Sequence, residues 1–140
     1  MGRFDRFTPM KEYVLDTHTC ILALAAPSKL GKQARAVLKQ VEAGRARAWI
    51  PAAVVLEFVI LHNQSRIHIG INELEAIFER GGGLQFLEVT WDQMREFAVC
   101  SMLRDPFDRL VVSAARARKA TLITKDQKIQ SSTLVRTLWN

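Results

Sequence analysis

Short β-prone runs recur along this chain, and helical stretches separate most of them. The runs are Tyr13-Val14-Leu15, Ala48-Trp49-Ile50, Leu84 to Val89, Thr121 to Thr124 and Leu134 to Leu138. Antiparallel neighbours need only a tight turn between them. Parallel neighbours need a crossover of roughly a dozen residues or more, usually a helix. The order expected is therefore βαα-βαα-βαα-β-β. That is an α/β chain in three layers, α/β/α, with a mainly parallel central sheet. In such sheets ligands gather at the carboxyl ends of the strands. The 140 residues contain no repeat and no linker, so residues 1–140 are expected to form a single domain, with 1–10 a loose lead-in.

The helices between the runs can be placed from their punctuation. Thr17-His18-Thr19 supplies N-cap candidates for an apolar helix over Cys20 to Ala26, stopped before Pro27. Ala34, Val37, Leu38 and Val41 follow i, i+3, i+4, i+7 spacing and predict an amphipathic helix that ends near Gly44. Pro51 suits the first turn of a helix from Ala52 to about Asn63, apolar nearly all round and so destined for the core or an interface. Asn72 is the expected cap of a helix through Arg80, broken by Gly81-Gly82-Gly83. Thr90 opens one to about Leu103, and Asp105-Pro106 starts another running from about Phe107 to Lys119.

Four acids stand where such elements would ordinarily carry apolar or neutral residues. Asp16 ends Tyr13-Val14-Leu15, and Glu57 interrupts the apolar run from Ala52 to Leu61. Asp108 lies in Asp105-Pro106-Phe107-Asp108-Arg109-Leu110, and Asp126 closes Leu122-Ile123-Thr124-Lys125-Asp126. Carboxylates at the edge or centre of buried elements cost free energy unless something cationic neutralises them. No Cys/His cluster accompanies them, so the chemistry indicated is a hard divalent cation held by oxygen ligands, as in phosphodiester hydrolysis.

Charge is consistent with that. The net charge of +6 and the pI near 9.8 favour polyanionic partners. Lys29, Lys32, Arg35, Lys39, Arg45 and Arg47 form one basic group, and Arg116, Arg118, Lys119, Lys125 and Lys128 a second. Either alone reads as a solvated helix face. Two groups flanking an acidic centre would give RNA a positive rim to approach. No signal-peptide core or stretch of about 18 uncharged apolar residues is visible, so a cytoplasmic protein is expected. Cys20 and Cys100 lie far apart in apolar surroundings and read as packing thiols.

The residues carry a resemblance. Tyr13-Val14-Leu15-Asp16-Thr17-His18, then Glu57 in its apolar helix, then Asp105-Pro106-Phe107-Asp108-Arg109-Leu110, then Leu122-Ile123-Thr124-Lys125-Asp126, together resemble a PIN (PilT N-terminal) domain. Within that family the chain is most similar to VapC-type toxins of bacterial toxin–antitoxin pairs. The likeness spans residues 12 to about 130. It implies a Mg²⁺- or Mn²⁺-dependent endoribonuclease acting on RNA, usually a homodimer, and held inactive by a small antitoxin protein. Carried over residue by residue, the catalytic, metal-site acids become Asp16, Glu57, Asp108 and Asp126, with Thr124 and Asp105 as accessory candidates. The chain departs from the pattern at Pro51, where many relatives carry Ser or Thr, and at Leu56, often Trp. Neither departure removes an acid.

Each residue also has a bland reading. Asp16 could cap the helix after it, although Thr17 and Thr19 are available for that. Asp105 suits an N-cap before Pro106 better than a ligand. Asp108 would be favoured by a helix dipole in any case, Asp126 could be a loop residue, and Glu57 could sit on a surface. His18, His62 and His68 have no metal-like spacing, and His18 reads better as structural than as a phosphate contact. Trp49, Trp91 and Trp139 read as core or interface residues rather than base-stacking platforms. Arg109 is left open between an RNA phosphate and a neighbouring acid. Two rival functions stay open: a nuclease of the same fold in RNA processing outside any toxin pair, and a catalytically silent RNA-binding module. The silent module predicts a missing acid, and none is missing. A phosphotransfer domain using Asp16 would want a second acid close by, which Asp16-Thr17-His18-Thr19 lacks.

Overall fold

Five strands lie side by side, all parallel, in the order β3-β2-β1-β4-β5. They are β1 (Lys11–Leu15), β2 (Ala46–Pro51), β3 (Leu84–Leu87), β4 (Thr121–Ile123) and β5 (Thr137–Leu138). The computed structural model describes residues 10–140, so the expected lead-in at 1–9 lies outside the described residues. Val14, Leu15, Ala48, Ile50, Leu122 and Ile123 in the three central strands are fully buried. Near-continuous burial of this kind belongs to a parallel sheet covered on both faces. Among the described residues no helix is long and apolar enough to cross a membrane.

Among the described residues seven α-helices connect the strands: α1 (Thr17–Ala25), α2 (Lys32–Glu42), α3 (Ala52–Asn63), α4 (Ile71–Glu79), α5 (Trp91–Val99), α6 (Pro106–Arg118) and α7 (Gln127–Ser132), with a short 3-10 turn at Pro27–Lys29 after α1. Helix α2 buries Ala34, Val37, Leu38 and Val41, the stripe its spacing predicts. Helix α6 buries Val111 to Ala115 without a break, as a central element must. In α3, Ala53, Val54 and Phe58 are buried, but Leu56 and Ile60 are 54% and 43% exposed. The apolar composition of α3 thus serves both a core and an open face. Cys20 and Cys100 are buried free thiols, as expected.

Several local expectations are corrected. The strand expected over Leu84 to Val89 stops at Leu87, because Gln93 Nε2 donates to Glu88 O and Thr90 caps α5. Helix α5 ends at Val99, not Leu103. Helix α4 begins after Gly70, whose N–H donates to Glu73 Oε1 at 2.7 Å, rather than at an Asn72 cap. Pro51 closes β2 and precedes α3 instead of opening it. Helix α7 was not expected at all.

The connectivity has a consequence for function. From β1 the chain goes to β2 and β3 on one side, then returns to β4 and β5 on the other. The gap between β1 and β4 is therefore the topological switch point, where a crevice opens beyond the strands' carboxyl ends. At that edge β5 is pinned by Leu122 N–H to Arg136 O (2.8 Å) and Thr124 N–H to Leu138 O (3.2 Å), while Ala34 N–H donates to Trp139 O (3.0 Å). Gly31 lies so close to Trp139 that a Cβ there would stand 2.3 Å from its carbonyl oxygen. Only glycine permits this approach.

Candidate active site

Asp16 and Asp126 flank the switch point, one following β1 and the other following β4. Asp16 holds an extended conformation (φ −80°, ψ 175°) and caps α1, its Oδ1 accepting from Thr19 N–H at 2.9 Å. The Thr19 hydroxyl donates instead to Ile123 O, buried, at 2.8 Å, and so ties the start of α1 to β4. The cap therefore belongs to Asp16, not to Thr17 or Thr19. One cap bond leaves its second carboxylate oxygen available. Asp126 is held in the same manner: its N–H donates to Thr124 Oγ1 (3.0 Å), and its Oδ1 accepts from Ile129 N–H (3.1 Å) to cap α7.

Thr17 has a different partner. Its hydroxyl donates to Glu57 Oε1, which links the β1–α1 junction to the second turn of α3. Glu57 is half-buried. Burial raises its pKa first of all, the Thr17 hydrogen bond opposes that, and the charges of Asp105 and Asp16 add to the rise. On α6, Asp105 is exposed and caps the helix, its Oδ1 accepting from Phe107 N–H (2.9 Å) and Asp108 N–H (3.0 Å). The preference for Asp105 as a cap is thus met.

Asp108 shows what the arrangement does electrostatically. It sits in the first turn of α6, where the helix dipole favours an anion. Yet its pKa is pushed up to about 6, by burial first and then by the charges of Asp105, Asp126, Glu57 and Asp16. All five carboxyl groups thus share one neighbourhood, from four different stretches of chain. Among the described residues none of the five forms an ion pair; the pairs present are Arg116 with Glu96 and Arg118 with Glu12. Arg109 turns away: its Nε donates to Phe97 O at 2.7 Å and its guanidinium lies 4.0 Å from the centre of the Phe97 ring.

Among the described residues, no three His, Cys, Asp or Glu side chains stand close enough to make a ready-formed cage. The donors are carboxylate oxygens, only partly buried, on separate elements. Such a set suits an ion like Mg²⁺, which keeps several waters and takes one or two carboxylates directly.

The second basic group divides in its roles. Arg118 lies over the Trp49 ring (4.2 Å) and bonds Glu12, near the opposite end of β1. Arg116 bonds Glu96 and Leu134 O. These two are structural, while Lys125 and Lys128 are exposed beside Asp126. Thr17 is the residue that the sequence undersold. The Asp-Thr pair at a strand end was its one signal, and it was read as a cap.

The family model described as PIN domain matches residues 13–132. Among solved structures, the chain is similar to a chain of VapBC2 from Rickettsia felis bound to a DNA fragment from its promoter, with 16% identity and a TM-score of 0.67 over 92% of this chain and 99% of that one. A chain of DNA-bound VapBC from Salmonella typhimurium gives 15% and 0.64, over 92% and 98%. One of VapBC-1 from nontypeable Haemophilus influenzae gives 16% and 0.64, over 91% and 96%. At such identities the likeness is one of fold. No curated protein sequence matches the chain. The family match runs from within β1 to the end of α7 and encloses all five acids, and the chain accordingly belongs to the PIN domain family.

Proposed function

We propose that this protein is a metal-dependent endoribonuclease, the toxin of a VapBC-type toxin–antitoxin pair, acting in the cytoplasm on single-stranded or looped RNA with Mg²⁺ or Mn²⁺. The observation that carries the reading is the placement of Asp16 and Asp126 after the neighbouring strands β1 and β4, with Glu57 tied to the same end by Thr17 and no ion pair to any of these acids among the described residues. The raised pKa of Asp108, which burial and the four neighbouring acids cause, agrees with it. A site built to be this negative favours a cation. Membership of a family of nucleases and the fold shared with chains of VapBC complexes support the rest.

In this reading Asp16 and Asp108 are direct ligands, and Glu57 and Asp126 bind directly or through water. When bound, such an ion polarises the scissile phosphate and lowers the pKa of water for in-line attack. The chain's own residues supply position. The cap bond from Thr19 N–H fixes the Asp16 carboxylate, and the Thr17 hydroxyl fixes Glu57 Oε1, leaving Oε2 to orient the attacking water. Thr124 acts indirectly by holding the backbone of Asp126. Lys125 and Lys128 meet the RNA backbone. The exposed face of α3, Leu56 and Ile60, is where a second copy of the chain docks, and a small cognate antitoxin restrains the assembly.

The test is cleavage of single-stranded RNA by the purified chain with Mg²⁺ or Mn²⁺ and with EDTA. Asp16→Asn and Asp108→Asn should each slow cleavage on the order of a hundredfold or more while the fold survives. Wild-type rates in both variants would overturn the assignment.

A further inference from the structure

Beside Asp126 lies a cleft of about 490 Å³, lined by Trp139, Gln33, Lys125, Gln127 and Gln130 among others. Its size falls within the roughly 300–1,000 Å³ of ordinary ligand sites. Lys125 directly precedes Asp126, and Gln130 lies one helical turn beyond it in α7, its N–H bonded to Asp126 O at 3.0 Å. The cleft therefore adjoins the acidic cluster at the carboxyl edge of the sheet. Trp139 lies beyond the residues that the family model matches, so this wall of the cleft is not part of the matched pattern.

The lining is chemically selective. No Asp or Glu side chain is among the cleft's lining residues, which also include Asn140, and its one charged side chain among the described residues is Lys125. Gln33, Gln127 and Gln130 each offer an amide donor and an amide acceptor, the mixture that a nucleobase edge presents. Gln130 is already oriented, since its Nε2 donates to Thr124 O at 3.0 Å and leaves its carbonyl oxygen for another partner. Trp139 is anchored through its carbonyl to Ala34 N–H and packed against Gly31, so the residue is half-buried and held in place. The sequence suggested a core or interface role for this tryptophan. Its packing against the core agrees with that, and it also forms one wall of the cleft.

We propose that this cleft is a nucleobase subsite: an unpaired base next to the scissile phosphate stacks on Trp139, the Gln33 and Gln130 amides bond its edge, and Lys125 meets the adjoining phosphate. The inference rests on the ribonuclease reading and deepens it, giving the enzyme a preference for the base on one side of its cut. Recognition of single-stranded RNA commonly combines these elements, aromatic stacking with hydrogen bonds to an unstacked base edge.

The wild-type chain, Trp139→Ala, Trp139→Phe and Gln33→Glu are compared on single-stranded RNAs that differ only in the bases flanking one cleavable position. The readouts are kcat/KM and product maps, with circular dichroism and melting temperature as fold controls. Trp139→Ala should lower kcat/KM on the preferred RNA about tenfold, through KM, and flatten the preference among flanking bases. Trp139→Phe should keep most of the wild-type rate and the same preference. Gln33→Glu, at an exposed position, should lose both rate and preference without loss of fold. Wild-type rate and preference in Trp139→Ala would overturn the subsite. Should that variant fail to fold, an unchanged Gln33→Glu would overturn it alone. A wild type that cuts none of the RNAs with either ion sinks the ribonuclease reading and the subsite together; cutting with a preference that the variants leave intact sinks only the subsite.

Discussion

At the scale of single residues, most of the clustered carboxylates already have a hydrogen-bonding role in the fold. Asp16 and Asp126 cap helices with one oxygen, and Glu57 accepts a hydroxyl with one, so these three acids are held in orientation by the chain's own donors. Asparagine caps helices as well as aspartate does, so Asp16→Asn keeps the cap and removes only the charge. Asp108 gives the clearest pH signature. An aspartate titrates near 3.8 when unperturbed and at about 6 here, so between those values the folded chain holds a proton that the unfolded chain has lost. This group's contribution to stability is thus highest at acid pH, falls as pH rises through about 4 to 6, and stays low above that. Asp108→Asn does not titrate. In EDTA its melting temperature should gain on the wild type as pH rises from 4 to 7; a constant difference would contradict the crowding of charge. As residues out of place, Asp16, Glu57 and Asp126 were legible in the sequence because each interrupts or ends an apolar run, and Asp108 only through the segment Asp105-Pro106-Phe107-Asp108-Arg109-Leu110 that carries the resemblance. Arg109 was not, because its partner Phe97 O lies on another helix and nothing local specifies it.

At the scale of elements, legibility follows length and periodicity. Helix α2 could be read from four apolar residues at helical spacing. Helix α7 could not, because it has six residues and a single buried apolar anchor, Ile129, and its start depends on a cap, Asp126, that was read as a ligand or a loop residue. The Gly70–Glu73 cap of α4 was missed for a related reason: a backbone N–H bonded to a glutamate carries no mark at the glycine itself. Helix α3 couples core to site, since fully buried Phe58 follows Glu57 directly. Phe58→Ala should cost about 3–5 kcal/mol in denaturant unfolding. Glu57→Gln should leave the midpoint near the wild-type value, because Thr17 can still donate to an amide oxygen. A small loss in Phe58→Ala would mean that α3 does not anchor the site to the core.

For the whole molecule, helical spacers between strands sufficed to predict a parallel α/β sheet, but not the order in which the strands lie. That order depends on which way each crossover turns, and it decides that β1 and β4 are neighbours with Asp16 and Asp126 on either side of the crevice. The basic groups were likewise visible in sequence but not their division, in which Arg116 and Arg118 pair structurally while Lys125 and Lys128 border the site. Assembly should depend on the open face of α3: Leu56→Glu combined with Ile60→Glu should reduce the mass measured by light scattering from a dimer to a monomer, and an unchanged mass would place the interface elsewhere. The central claim is that acids from four stretches of chain converge on one hard dication. Titrating Mn²⁺ into metal-free protein, and following the paramagnetic resonance signal of the free aqueous ion, tests it directly. Wild type should remove the ion from solution, and the folded Asp16→Asn/Asp108→Asn variant should leave it free; no uptake by wild type, or equal uptake by both, would contradict the account.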